Sequence, residues 1–253
     1  MMNQTNTNRA NLPAAILVFA LLMLWQMAAL GMNAAYILPS PVQVVRKLWE
    51  LRGPLLTAHL PATMSVVAIG LAISIVLGLA LAILMDASPV AEKALYPLVI
   101  ASQTIPTTAL APLFVLWFGY SIWSKVLVTV LMTFFPVTIT VFDGFRSVRT
   151  EMKELMFCMG ADSRLMFFKL KFPAVLPCFF SALKMAVPLS VIGAAIGEWL
   201  GAQSGLGYFS RRMMTQLDGA GVFAPILLLS IAAMLLTSVV TMLERRIVTW
   251  RSE

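Results

Sequence analysis

Residues 12–30 contain no charged side chain, and neither do residues 61–85 or 223–243. A run of about twenty apolar residues is enough to cross a hydrocarbon core of about 30 Å as a helix. In lipid, only helices and closed barrels satisfy their own backbone N–H and C=O groups. Residues 97–118, 122–142 and 178–200 are nearly as apolar, which predicts an all-α, polytopic membrane protein with about six transmembrane helices. Composition agrees: the 253 residues are 60% hydrophobic and 11% charged, where soluble domains run near 45–50% and 25%. A cleaved signal peptide would have a shorter apolar core than the first run, roughly 7–15 residues, so 12–30 reads as a retained span.

The formal charge of +7 raises the question of nucleic acid. The basic residues, however, sit between the apolar runs and at the ends, as expected of loops facing anionic lipid, and no nucleic-acid partner is expected. Six spans place both termini on one side. That side collects Arg9, Lys93, Arg146, Arg149, Lys153, Arg164, Lys169, Lys171, Arg245, Arg246 and Arg251, eleven residues. The other side has Arg46, Lys47, Arg52, Lys125, Arg211 and Arg212, six residues, with Lys184 left inside a span. Eleven against six predicts cytoplasmic termini and a cytoplasmic segment 146–177. In that reducing compartment Cys158 and Cys178 read as apolar filler without a disulfide. His59, with no companion at metal-ligand or triad spacing, reads as a surface or interfacial residue.

In chain order, residues 1–11 read as a polar, disordered cytoplasmic tail and 31–60 as an external connector. Within the connector, a turn at Pro39 and Pro41 precedes a mixed segment expected to lie along the membrane surface as an amphipathic helix. Residues 61–243 form the core with five spans, and 244–253 a cytoplasmic tail. Gly70, Ser74, Gly78 and Ala82 recur every four residues, a stripe that lets another helix approach closely. Residues 86–96 read as a short polar turn. The third span carries Ser102, Gln103, Thr104, Thr107 and Thr108 beside Pro106 and Pro112. Proline frees backbone carbonyls, tolerated in lipid only where protein or a water-filled cavity satisfies them. The segment is therefore either a kinked, buried helix or part of a solute pathway. In the fifth span Lys184 and Glu198 read as anchoring or packing residues near its two ends. Glu198, followed by Trp199 and a glycine-rich loop, is also a candidate to face the solute.

Residues 146–177 form a charged island between the fourth and fifth spans. A lysine or arginine at mid-bilayer depth costs about 2.5–3.5 kcal/mol, so the island belongs in water or against a soluble partner. Residues 151–159, starting at Glu151, predict a short helix. Gly160, Ala161 and Asp162 make a turn, with Asp162 or Ser163 capping a second helix that runs to Pro173.

Glu154, Leu155 and Met156, then three residues, Gly160, nine residues, and Leu170, Lys171, Phe172 and Pro173 match in spacing a motif of one family. The sequence resembles the permease subunits of binding-protein-dependent ABC importers, whose cytoplasmic motif reads E-A-A, three residues, G, nine residues, I-x-L-P. Both alanines are replaced here by larger apolar residues. The resemblance covers residues 38–243, including ILPSPVQV, PLFVLWFG, FDGFRSV and IGEWLGAQSGLGY. It is similar to the branch that moves nitrate, taurine, aliphatic sulfonates or the pyrimidine precursor of thiamine. It implies a type I ABC importer permease fold in the inner membrane of a bacterium, a homodimer of permeases, a cytoplasmic ATPase dimer docked on the island, and an extracytoplasmic solute-binding protein. No G-x-x-x-x-G-K-[ST] phosphate loop occurs in the chain, so no cofactor is expected on it and ATP with Mg belongs to the partner ATPase.

Two alternatives stay open on the residues alone. An integral-membrane enzyme would place two or more of His, Asp, Glu or Cys near one interface, whereas the acids here are isolated. An ion-coupled carrier would call for acids at the midplane and an inverted repeat, and neither is visible.

Overall fold

The computed structural model describes residues 7–32 and 34–250. The described residues form α1 (Thr7–Met32), α2 (Pro41–Glu50), α3 (Arg52–Pro54), α4 (Leu60–Ala87), α5 (Pro89–Ser102), α6 (Thr107–Phe118), α7 (Ile122–Arg146), α8 (Thr150–Cys158), α9 (Ser163–Met166), α10 (Phe172–Gly201), α11 (Leu206–Thr215) and α12 (Gly219–Ile247), with no strand among them. Helix α1 begins inside the stretch expected to be a tail, and residues 1–6 and 251–253 of the two expected tails lie outside the described residues.

Two Ser-Pro pairs start helices. Ser40 accepts from the Gln43 N–H while the Gln43 side chain accepts from the Ser40 N–H, a reciprocal cap with Pro41 in the first turn. Ser88 accepts from the Ala91 N–H at the head of α5, which starts with Pro89. Residues 86–96 are therefore not the expected turn. Ser88 alone separates α4 from α5, because proline at the first helical position gives up an N–H that has no intrahelical partner, and Glu92 in the first turn favours the positive helix end.

Two π turns follow one rule. Leu55–His59 ends two residues before Pro61, and Phe167–Lys171 two residues before Pro173. In each, an N–H reaches back five residues, Leu60 to Leu55 and Phe172 to Phe167. The widened turn accommodates a ring that cannot donate. The helix consequently runs unbroken over Arg52–Ala87 and over Ser163–Gly201.

Helix α7 is the centre of the bundle, clasped by α4 and α10. Gly70 lies against Thr129 and Gly78 against Val137, so α4 and α7 run parallel; Gly193 lies against Thr129, Gly197 against Lys125 and Gly144 against Cys178, so α10 runs antiparallel to them. A methyl group added at any of these glycines would overlap the facing helix. The small stripe on α4 thus works as expected, and Ser74 adds a buried 2.5 Å hydrogen bond to Thr133. Below it, Ala82, Val137, Val141, Phe142, Ala182 and Ala186 close the core.

Because α4 and α7 are parallel, the chain between them must return across the layer. That return is the bent pair α5 and α6, whose axes meet at 94°. The expected kinked third span is therefore a broken one, and with α1, α4, α7, α10 and α12 it makes six candidate crossings among the described residues. At the end where α4 finishes, ion pairs tie helices together: Lys171 to Asp86 at 2.7 Å, Arg146 to Glu92 at 3.7 Å, and Lys184 to Glu244 at 2.7 Å. Lys184 anchors α10 by pairing with α12.

Candidate functional site

The charged island folds as a helix, a turn and a second helix. Helix α8 buries none of its side chains. Glu151, Glu154, Leu155, Phe157 and Met159 are exposed, Phe157 at 73% and Met159 at 77%, while Met156 is half-buried. The Ala161 N–H donates to the Met156 carbonyl at 3.0 Å and the Gly160 N–H to that of Phe157 at 2.9 Å, the two bonds that close a helix through a left-handed residue. Gly160 is that residue, with φ +81° and open space beside it. Its absent side chain thus matters for backbone freedom and not for packing.

Ala161 is buried behind the turn, and Asp162 caps α9 by accepting from the Leu165 N–H at 2.8 Å. Phe167 stacks on Phe145 with centroids 5.9 Å apart, fixing the foot of the second helix to the end of α7. Leu170 and Pro173 are half-buried and Phe172 is exposed. Of the expected site residues, Glu151, Glu154, Leu155, Met156, Gly160 and Ala161 share one helix and turn, while Leu170, Phe172 and Pro173 follow in the π turn and the start of α10.

At the far end of α10, three successive amides of the glycine-rich loop are taken by side chains from two other elements. The Gly205 N–H donates to His59 Nδ1 at 3.1 Å, the Leu206 N–H to Thr63 Oγ1 at 2.8 Å, and the Gly207 N–H to Glu198 Oε2 at 2.8 Å. Gly205 has φ +116° and its backbone lies against the Glu198 carboxylate, where a side chain would collide. Glu198 is 1% exposed, and its Oε1 has no hydrogen-bond partner among the described residues. The three side chains satisfy the donors that begin α11 and tie it to α4 and α10. His59, expected at a surface or interface, is half-buried against Tyr208 and Phe209. Sequence reasoning missed His59 and Thr63 as partners of this loop; only the Gly-Leu-Gly run hinted that something packs against it.

The break between α5 and α6 carries the remaining candidates. Ser102 donates to the Val99 carbonyl and Thr104 to that of Ala101, each at 2.7 Å, so both hydroxyls serve their own helix end. Gln103, Thr104 and Pro106 are exposed; Ser102 and Thr107 are half-buried. A groove of about 1120 Å³ lies between α6, α10 and α12, apolar except for the hydroxyls of Thr108, Ser230, Thr237 and Ser238. None of Ser102, Gln103, Thr104, Pro106, Thr107 and Glu198 lines it; Thr108, directly after Thr107, does.

Comparison with known proteins gives a consistent answer. Residues 74–249 match the family described as binding-protein-dependent transport system inner membrane component. The chain is 53% identical over 233 residues to the formylaminopyrimidine transport permease protein ThiX of Halalkalibacterium halodurans, covering 92% of this chain and 93% of that protein. It is 33% identical over 246 residues to the putative aliphatic sulfonates transport permease protein SsuC of Bacillus subtilis, with 95% and 86% covered. It is 27% identical over 253 residues to the taurine transport system permease protein TauC of Escherichia coli, with 98% and 92% covered. With its broken third span, its exposed helix between the fourth and fifth spans and a family match over most of its length, the chain belongs to the inner membrane components of binding-protein-dependent transport systems, as a permease of an ABC importer.

Proposed function

We propose that this permease works as a homodimer, with both termini and the segment 146–177 in the cytoplasm. A separate ATPase dimer, binding ATP and Mg, docks on α8 and the turn that follows it. The observation that carries the reading is the apolar surface of α8 outside the spans, where Leu155, Phe157 and Met159 are 55%, 73% and 77% exposed. Burying such side chains on a partner is worth about 1.5–3 kcal/mol each. Glu151 and Glu154 beside them give the surface direction and a charge to match. Chemistry is not asked of this chain: closure of the ATPase moves α8, and α8 moves the spans.

The solute we propose is a formylaminopyrimidine-type precursor, supported by the degree of identity to the formylaminopyrimidine permease. Its route follows the hydroxyl-bearing groove between α6, α10 and α12, completed by the second copy, with Gln103 and Thr107 at the broken span beside its entrance.

The test is reconstitution with the ATPase and the solute-binding protein. The paired change Leu155→Asp and Phe157→Asp is expected to weaken ATPase co-purification by at least about tenfold, since 1.4 kcal/mol is a factor of ten, while the permease still inserts in the membrane. Undiminished co-purification would remove α8 as the docking element. Uptake of formylaminopyrimidine but not of taurine into the same vesicles is the expected solute profile, and the reverse profile would refute the solute assignment.

A further inference from the structure

At the end of the molecule opposite α8, the carboxylates are already engaged. Glu50 pairs with Arg46 at 3.3 Å, Asp218 pairs with Lys47 at 2.8 Å, and Glu198 is buried on the Gly207 amide. Arg52 is folded back over Trp49, its guanidinium 4.2 Å from the ring centroid. Arg211 and Arg212 are different. Both are exposed, and neither lies within ion-pair distance of a carboxylate among the described residues. They line a concavity of about 410 Å³ with Tyr120, Gln203, Tyr208 and Thr215.

The seat is built and not merely charged. Arg211 donates to the Trp199 carbonyl, which holds its guanidinium at the rim of α10. Tyr208 stacks on His59, with centroids 6.2 Å apart. The three hydrogen bonds from the Gly205, Leu206 and Gly207 amides fix the helix carrying both arginines to α10, to α4 and to the turn before α4. A planar guanidinium held this way presents its free N–H groups as a fork that suits a carboxylate. The aromatic walls and Gln203 suit a protein side chain and its neighbours.

We infer that the concavity of Tyr120, Gln203, Tyr208, Arg211 and Arg212 receives an acidic side chain of the extracytoplasmic solute-binding protein. The inference rests on the orientation proposed above, which puts this end outside the cytoplasm, and on the dependence of this family on a binding protein. Two unpaired positive charges at the rim of a docking face steer an acidic partner and fix its register more than they add affinity. Since α11 is tied to α10, and the helix containing α10 runs without interruption from Ser163 at the turn behind α8, docking here bears on the helix that leads to the proposed ATPase contact.

The experiment measures ATPase activity of the assembled importer in vesicles as loaded binding protein is titrated in. Arg211→Glu with Arg212→Glu is expected to raise the half-maximal concentration by about tenfold or more, because like charges across an interface cost several kcal/mol. Activity without binding protein should be unchanged. The Arg211→Lys, Arg212→Lys variant, which keeps the charge and loses the fork, should recover part of the response, and this separates docking from a folding defect. Wild-type response should also weaken with salt more steeply than that of Arg211→Gln, Arg212→Gln. Identical titrations for wild type and the glutamate variant would overturn the inference. So would a shift seen only in vesicles containing anionic phospholipid and absent in phosphatidylcholine, which would make the seat a headgroup site. If wild type itself gave no response to binding protein, the importer reading would fall first, a distinguishable result.

Discussion

Asp218 does two jobs with one carboxylate. Oδ1 accepts from the Gly221 N–H at 2.9 Å and caps α12, while Oδ2 meets Lys47 Nζ at 2.8 Å and holds the surface helix α2 to it. Burial alone would push its pKa up, but the Lys47 ammonium and the Gly221 amide outweigh it and hold the carboxyl below its usual range. Lys47 is raised by its hydrogen bond to Asp218, against a smaller opposing effect of burial. A depressed carboxyl contributes stability above its unfolded value, about 3.9, that is lost as pH falls through the folded value; a raised lysine contributes below about 10.4 and loses it as pH rises through the folded value. The pair is therefore intact across the neutral range. Asp218→Asn keeps a cap-forming side chain and removes only the charge. It should cost about 1 kcal/mol at pH 7 in thermal unfolding of the detergent-solubilised protein. The difference from wild type should start to shrink as pH drops below about 3.9 and vanish once pH is below the depressed folded value; a gap that does not shrink would mean that charge is not what Asp218 contributes.

Among elements, α10 is the long member that touches both ends, with Pro173, Pro177 and Pro188 along it. Its outer end depends on Glu198 holding the Gly207 amide. Glu198→Ala would leave that buried donor unmatched, a cost of about 1–3 kcal/mol, whereas Glu198→Gln keeps an oxygen to accept it. Amide hydrogen exchange over residues 205–209 should quicken in the alanine variant and stay near wild type in the glutamine variant. Equal protection in both would show that α11 is held without the Glu198 bond, by His59, Thr63 and packing. What could be read in advance follows the same division between local and distant. The Gly70, Ser74, Gly78 and Ala82 stripe was legible because its period of four is written in consecutive turns, and the turn at Gly160 because glycine and the capping Asp162 adjoin it. The joining of Glu198 to a helix through Gly207, with His59 and Thr63 beside it, was not, since its members stand 146 and 143 residues apart for Gly205 with His59 and Leu206 with Thr63. Ser88 and Pro89 held a start signal that charge at Glu92 and Lys93 masked, and the π turns could not be seen because proline in a span reads as a kink until the preceding turn is seen to widen.

For the whole molecule, the parallel course of α4 and α7 requires the bent pair between them to cross, and the sign of the orientation is the next property to establish. Cys158 and Cys178 provide the probe. Cys158 ends α8 and is exposed, whereas Cys178 is half-buried in α10 against Gly144. A membrane-impermeant maleimide should therefore label one site. With α8 in the cytoplasm, labelling is expected in inside-out vesicles and not in intact spheroplasts, and Cys158→Ser should abolish it. Assembly with the ATPase should suppress it as well, because Cys158 lies between the exposed Phe157 and Met159 that the ATPase is proposed to cover. Labelling in spheroplasts would invert the molecule and place the arginine seat of α11 in the cytoplasm. Labelling in inside-out vesicles that the bound ATPase leaves untouched would keep the orientation and move the docking surface away from the tip of α8. The two geometric claims, which way the bundle faces and what its exposed helix meets, thus separate on a single thiol.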